Sequence, residues 1–232
     1  VRVTGSTGRI EELPGYGDGE WWVQDAAATL PVALLGDVEG SRVLDLCAAP
    51  GGKTAQLAAA GAQVTAVDLS AARLARVGQN LERLGLDAEL LCQDAIKLTV
   101  DGLFDAVICD VPCSATGTIR RHPDLPYLKT AKQMTDLTRV QAAILGNAIN
   151  LTRPGGTIVY CTCSLEQAEC EDQIESLLAS AAPVSREPVL PDQLFGQVHL
   201  VSECGDLRSL PFHSLGEMQG LDGFYACRLI KS

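Results

Sequence analysis

Two cysteines in this chain lie where covalent chemistry is possible. Cys113 in DVPCSATG (110–117) and Cys163 in YCTCS (160–164) each follow an apolar run of strand length. A thiolate is a strong nucleophile, and a second thiol beside it can act as an acid or a base. If the two runs are neighbouring parallel strands, their carboxyl ends meet at one edge of the sheet and both cysteines face the same pocket.

A loop of small residues supplies a candidate cofactor site. VLDLCAAPGGKT (43–54) combines a buried strand, this loop and the start of a helix, whose backbone N–H groups can bind a ligand that glycines allow to come close. A dinucleotide site needs G-x-G-x-x-G, which this stretch does not contain. A phosphate-binding P-loop ends as Gly52-Lys53-Thr54 does, but it needs glycine at the position of Cys47, so a nucleotidase is the second candidate.

Acidic residues at successive strand ends favour a third ligand, S-adenosylmethionine. Asp68 closes AQVTAVD, where an acid can hold ribose hydroxyls, and Asp94 after the third strand could meet the adenine edge. Asp110 follows the fourth strand. A single acid at a strand end is more often a turn former or a helix cap. Four successive strands that end in an acid or in the glycine loop shift the balance towards a cofactor site.

The residues after the fourth strand indicate what is modified. Amino methyltransferases carry an Asp/Asn-Pro-Pro-aromatic motif there, whereas this chain reads Asp110-Val111-Pro112-Cys113, with a thiol in place of the ring. C5 of cytosine becomes nucleophilic when a thiolate adds to C6, and a second group must then assist elimination. Asp110 is placed to hold N3 and the exocyclic amine. This chemistry leaves open whether Cys113 or Cys163 attacks.

The elements that must position these residues alternate between strand and helix. This alternation predicts an α/β fold with a parallel sheet of order 3-2-1-4-5, covered on both faces. The predicted strands are 42–47, 63–67, 87–92, 104–109 and 156–161. The predicted helices are 26–35, capped by Asp25, then 53–60, 71–84, 133–151 and 166–180.

The two ends of the chain do not follow the strand–helix alternation of the middle. Residues 1–13 predict a hairpin around Gly5-Ser6-Thr7-Gly8, and 196–203 and 222–230 predict a terminal antiparallel pair. We expect residues 1–36 to form a hairpin, a loop and a helix that pack on a catalytic domain of 37–232.

Five motifs are specific in combination: PGYGDGEWWVQD (14–25), DLCAAPGGKT (45–54), DVPCSATGTIRRHPD (110–124), YCTCSLEQAECED (160–172) and DGFYACRL (222–229). In these motifs the chain resembles the Nop/Sun family of RNA 5-methylcytosine methyltransferases over about 14–232. The resemblance implies a Rossmann-like class I S-adenosylmethionine-dependent methyltransferase with a mostly parallel seven-stranded sheet. It also implies RNA as the partner, ribosomal RNA in particular.

The resemblance assigns roles to individual residues. It implies that Cys163 is the nucleophile and that Cys113 assists product release. Val111 and Ala115 depart from the family, which usually has Ala and Gly there, and nothing before residue 14 resembles the RNA-binding domain of bacterial members. The cofactor residues that it implies are Cys47, Ala48, Ala49, Pro50, Gly51, Gly52, Lys53, Asp68, Asp94 and Asp110, with Arg73 either joining them or lying on the surface.

Composition narrows the class of protein. The 232 residues carry 18 basic and 29 acidic side chains, a net charge of −11, yet 113–140 is locally basic, so nucleic acid is not excluded. A hydrophobic content of 47% excludes general disorder. Neither a membrane-spanning apolar run nor a signal pattern is evident. Nine cysteines, most of them in apolar runs, indicate a reducing compartment, so we expect a cytoplasmic monomer without metal.

Other interpretations compete with these assignments. Zinc bound by Cys109, Cys113, Cys161 and Cys163 is disfavoured because C-x₃-C and C-x-C lack the usual ligand spacing. Arg120, Arg121 and the lysines downstream are expected to bind phosphates, with His122, Trp21 and Trp22 as weaker candidates for RNA contact. The other class of function is a catalytically silent RNA-binding assembly factor, against which the intact Cys113, Cys163 and Asp110 argue. Buried structural thiols are expected at Cys47, Cys92, Cys109, Cys161 and Cys227.

Overall fold

The sheet forms from apolar segments that alternate with helices, as the sequence predicts. The computed structural model describes residues 8–232, without the side chains of Pro126 and Ala131. The strands are β1 Arg42–Leu46, β2 Gln63–Asp68, β3 Glu89–Cys92, β4 Phe104–Asp110, β5 Thr152–Thr162, β6 Val184–Arg186, β7 Leu207–Ser209, β8 Ser214–Leu215, β9 Met218–Gln219 and β10 Phe224–Lys231. The helices are α1 Ala26–Ala33, α2 Gly52–Ala59, α3 Ala71–Leu84, α4 Leu125–Leu128, α5 Ala131–Leu151 and α6 Glu171–Ala179.

The order of the main sheet confirms the predicted Rossmann-like class. Seven strands follow the path β3-β2-β1-β4-β5-β10-β6, and β7 pairs with β10 as an eighth. The pairs from β3 to β5 are parallel, and β10 runs antiparallel to β5, β6 and β7. The carboxyl ends of β1 to β5 therefore share one edge of the sheet, which is where a ligand site is expected.

The core fills both faces of the sheet. Val107 and Ile158 pack with α5 and α6 on one face, whereas Ile108 and Val159 pack with α1 and α2 on the other. Strands that are buried on both faces must be apolar throughout, which explains their continuous Val/Ile/Leu runs.

Two expectations concern the ends of the chain. The hairpin expected around Gly5-Ser6-Thr7-Gly8 falls largely outside the described residues, and Ile10–Glu12 forms a 3₁₀ turn. The strand expected at 196–203 is wrong, because Val198–Leu200 is a 3₁₀ turn and Val201 makes only an isolated bridge to Leu207. Since β10 is hydrogen-bonded to β5 on one side and to β6 and β7 on the other, this segment has no free edge of β10 to join.

Helix boundaries follow local capping signals. The side chain of Asp25 accepts the N–H of Ala27, which confirms the predicted cap of α1. Ser70 and the left-handed Gly85 bound α3 at the predicted residues. The helix predicted at 166–180 begins instead at Glu171, because Gln167–Glu169 forms a 3₁₀ turn that carries Glu169 into the interior.

Candidate active site

A cleft of about 460 Å³ lies at the carboxyl edge of the sheet. Each of the strands β1 to β5 delivers at least one residue to it or to the loop that follows the strand. Among the residues predicted to form the site, those that line the cleft are Cys47, Ala49, Asp68, Arg73, Asp94, Asp110, Cys113 and Cys163. Those that do not line it are Ala48, Pro50, Gly51, Gly52 and Lys53.

The two glycines of the loop after β1 serve packing within the protein. Gly51 precedes α2 with φ +102°, and a Cβ placed there would lie 3.0 Å from Cγ1 of Val77 on α3. A Cβ on Gly52 would lie 3.2 Å from Cδ of Gln24. Each glycine thus makes room for a side chain of the protein itself, and the expectation that the backbone here also admits a ligand stays a prediction.

Asp68 and Arg73 fasten this loop from the side of β2. The Asp68 carboxylate accepts the N–H of Ala49 at 3.2 Å and that of Ser70 at 3.0 Å. Arg73 donates to the carbonyl oxygen of Ala49 at 2.7 Å and lies 3.5 Å from Asp68 Oδ2. Arg73 thus contacts the cleft, but its hydrogen bond and ion pair go to the loop and to Asp68.

Asp94 is half-buried on the next wall of the cleft. Its Oδ1 accepts the N–H of Ile96 at 3.0 Å, which holds the turn after β3. Leu69 and Ile96 add apolar surface to the same wall. A wall that combines carboxylates with apolar side chains suits a nucleoside, which has hydroxyl groups and a flat base.

Lys53 is a buried counter-ion for Asp110. Its Nζ lies 2.7 Å from Asp110 Oδ2, and 7% of the side chain is exposed. Burial alone would lower the pKa of Lys53, but the Asp110 carboxylate holds that pKa above its ordinary value. An ammonium group paired in this way is not available to a phosphate, which argues against the P-loop interpretation.

The two cysteines meet in the cleft. The Sγ atoms of Cys113 and Cys163 are 3.5 Å apart, within hydrogen-bond distance for sulfur. The hydrogen bond from Cys163 lowers the pKa of Cys113, and the same bond together with burial raises the pKa of Cys163. The contact therefore favours ionisation of Cys113 and disfavours ionisation of Cys163.

Comparison with known proteins gives the family. The model of the 16S rRNA methyltransferase RsmB/F family matches residues 32–230. The chain belongs to this family. Methyltransferases of this family use S-adenosylmethionine, the cofactor that the sequence predicts.

Relatives and a solved structure agree with this assignment. The chain is 42% identical over 228 residues to ribosomal RNA small subunit methyltransferase B of Pseudomonas syringae pv. tomato, covering 96% of this chain and 50% of the relative. For the same enzyme of Erwinia tasmaniensis, identity is 39% over 227 residues, with 96% and 49% coverage. The chain thus spans about half the length of these relatives. NSun6 from Pyrococcus horikoshii with SFG has a TM-score of 0.82 and 26% identity, covering 97% of this chain and 56% of that one.

In this family member, four residues at the site escaped the sequence analysis. Glu169 is fully buried against the cysteine loops, and Ser114, Ser164 and Gln141 bind its carboxylate. The one signal in the sequence is that each of the two cysteines is followed by serine.

The arginines expected to bind RNA phosphates are engaged within the protein. Arg120 lies 3.0 Å from Asp25 and 3.3 Å from Asp222, and Arg121 donates to Asp222 from both Nε and Nη2. A buried carboxylate, Asp222 on the loop before β10, pairs with both arginines, and the expectation that they bind RNA phosphates stays a prediction. His122 is exposed and stays a candidate for RNA contact.

The tryptophans and the other thiols have structural surroundings. Trp21 donates to the carbonyl of Pro14, and Trp22 donates to Gln24 and packs on the apolar cluster of α3. No cluster of possible metal ligands occurs within residues 8–232. In that same range no helix is both long and apolar enough to cross a bilayer. Cys109, Cys161 and Cys227 are buried as predicted and Cys47 is half-buried, but Cys92 is exposed and its predicted burial is wrong.

Proposed function

We propose that this chain methylates C5 of a cytosine in RNA, with ribosomal RNA as the substrate class and a covalent bond between Cys163 and C6 as the intermediate. The observation that carries the proposal is the pair of sulfurs 3.5 Å apart in the same cleft as Asp68, Asp94 and Asp110. The relatives' names specify ribosomal RNA. The reducing compartment suggested by nine free thiols agrees with a cytoplasmic enzyme.

The cleft fits S-adenosylmethionine by the chemistry of its lining. Carboxylates at Asp68 and Asp94 suit ribose hydroxyls and an exocyclic amine, and Leu69 and Ile96 suit the flat faces of a purine. We assign direct contacts to Cys47, Ala49, Asp68 and Asp94, while Ala48, Pro50, Gly51 and Gly52 shape the loop. When bound, this cofactor supplies an electrophilic methyl group.

The two thiols have different roles in the reaction on the cytosine: Cys163 is the nucleophile and Cys113 transfers protons. Cys163 passes its proton to Cys113 across the 3.5 Å contact, and its sulfur forms a bond to C6, which makes C5 nucleophilic. Asp110, steadied by Lys53, holds the N3 edge of the base. Cys113 releases its proton to solvent and then removes the proton from the methylated C5. The C6–Sγ bond breaks as the C5–C6 double bond returns, and Cys163 leaves as a thiolate.

Bisulfite sequencing tests this function in cells. Ribosomal RNA from a strain that lacks the gene should lose protection of a cytosine that the parent strain protects, because 5-methylcytosine resists conversion. The gene restores protection, whereas the Cys163→Ala gene does not. If the two strains protect the same cytosines in all their RNA, the proposed function is wrong.

Calorimetry separates the methyltransferase from the nucleotidase. We expect the purified protein to bind S-adenosylmethionine and to show no heat of binding with ATP, because Lys53 is paired with Asp110. Binding of ATP alone would contradict the cofactor assignment.

A further inference from the structure

One buried carboxylate joins the two cysteine loops. Glu169 is 0% exposed and lies in the 3₁₀ turn after β5. Its carboxylate accepts the backbone N–H of Ser114 at 2.9 Å, the hydroxyl of Ser164 at 2.6 Å and the hydroxyl of Ser114. Ser114 and Ser164 directly follow Cys113 and Cys163 in the chain. A single side chain therefore holds the residue next to each sulfur.

A third segment completes the enclosure of Glu169. The amide of Gln141, on α5, donates to Glu169 Oε1 at 3.0 Å and to the carbonyl oxygen of Pro112 at 2.9 Å. The hydroxyl of Tyr160 donates to the backbone carbonyl of Glu169 at 2.7 Å. Burying a carboxylate costs free energy unless hydrogen bonds compensate for the lost water. Four donor groups bind the Glu169 carboxylate. Such an arrangement fixes geometry because each donor constrains the same two oxygen atoms.

We propose that Glu169 is a positioning residue that sets the separation of the two sulfurs by holding Ser114 and Ser164 on one carboxylate. The hydrogen bond between Cys113 and Cys163 then depends on Glu169, although Glu169 lies outside the cleft lining. The inference rests on the proposed roles of the two cysteines, but the distance between their sulfurs can be tested without RNA.

The test compares Glu169→Gln with wild type and with Glu166→Gln, a control in the same loop. In Glu169→Gln an NH₂ group replaces one carboxylate oxygen and cannot accept the hydrogen bonds of Ser114 and Ser164. The loops that carry Cys113 and Cys163 should therefore move apart. In the free protein, the pH dependence of iodoacetamide alkylation at Cys113 and Cys163 is followed by mass spectrometry of their peptides. We expect the midpoint for Cys113 to rise by about one pH unit in Glu169→Gln, because its thiolate loses the S–H group of Cys163, and we expect the midpoint for Cys163 to fall. We expect Glu166→Gln to match wild type. An unchanged midpoint in Glu169→Gln overturns the proposal.

Methylation kinetics give a second readout. We expect kcat of Glu169→Gln to fall at least about tenfold, since small displacements of reacting groups are costly. KM for RNA and for S-adenosylmethionine should stay within about twofold. A raised KM with kcat unchanged overturns the positioning role.

Two further arms keep the inference decidable. If Glu169→Gln does not fold, Ser164→Ala takes its place, because it removes one hydrogen bond to the Glu169 carboxylate. The alkylation midpoint of Cys113 should then rise by less than one pH unit. An unchanged midpoint in folded Ser164→Ala then overturns the proposal. If wild type transfers no methyl group to cytosine, the proposed function fails, while the alkylation midpoints still decide the role of Glu169.

Discussion

The cofactor end and the cysteine end of the cleft are built by different kinds of contact. At the cofactor end, Asp68 and Asp94 bind backbone N–H groups of the turns beside them. At the cysteine end, the sulfurs come from positions 50 residues apart and meet through side chains of other segments. A strand end can carry its own acid, but a pair of thiols at a fixed distance needs support from the tertiary structure.

Packing at the cysteine end is also tighter. The N–H of Gly117 donates to the carbonyl of Cys163 at 2.9 Å, and the N–H of Gly223 donates to the carbonyl of Gly117 at 2.8 Å. Ala115, two residues before Gly117, adopts φ +59°. Backbone against backbone leaves no side chain to adjust, so we expect substitutions here to cost more than at the cofactor end.

The largest effect is expected at the nucleophile. Cys163→Ala should lower methyl transfer at least about 10³-fold, because removing a nucleophile leaves only binding and orientation. Transfer of a radiolabelled methyl group to ribosomal RNA measures it. Cys204→Ala, an exposed thiol in another loop, serves as the control and should retain activity. Full activity of Cys163→Ala would show that methyl transfer does not depend on the sulfur at the cysteine end of the cleft.

The next effect tests the close packing of the cysteine end. A Cβ on Gly117 would lie 2.0 Å from the carbonyl oxygen of Gly223, so Gly117→Ala should destabilise the protein by about 3 kcal/mol. Denaturant unfolding measures the loss. Gly17→Ala is the control, because no atom lies within 4 Å of its Cβ position. Equal stability of the two variants would show that this end is not tightly packed.

A smaller effect is expected from the buried ion pair between Lys53 and Asp110. Lys53→Met should lower the free energy of unfolding by about 2 kcal/mol, since water screens the third of Asp110 that is exposed. In the double variant with Asp110→Asn, part of this loss should return because no carboxylate is left unpaired. Strictly additive losses in this cycle would mean that the pair is not coupled.

The smallest effect per pH unit is a pH dependence of stability that arises below the cofactor loop. Burial raises the pKa of Asp45 from 3.8 to about 7, against an opposing hydrogen bond from Thr54. The folded state keeps this proton where the unfolded state has lost it, so stability should fall as pH rises from 3.8 to 7. The slope is at most about 1.4 kcal/mol per pH unit.

Asp45→Asn should remove that slope, as measured by denaturant unfolding across the same pH range. Asp101→Asn, which changes an exposed acid, should keep the wild-type slope. A slope that persists in Asp45→Asn would assign the pH dependence to other groups.

This difference between the two ends also explains which site residues can be predicted from the sequence. The strand-end acids and both cysteines were predicted because each lies at the end of its own apolar run, and the predicted bounds of α3 coincide with the capping residues Ser70 and Gly85. Glu169 could not be predicted, since its burial depends on Ser114, 55 residues away. The pairing of Arg121 with Asp222, 101 residues away, was equally invisible.

The most direct test of the account asks which sulfur bonds to RNA. Cys113→Ala is incubated with ribosomal RNA and S-adenosylmethionine, and protein–RNA adducts are separated on a denaturing gel and mapped by mass spectrometry. Because release needs Cys113, this variant should accumulate an adduct on the peptide that contains Cys163, and Cys163→Ala should form none. An adduct in Cys163→Ala, or one mapped to another residue, would contradict the central claim.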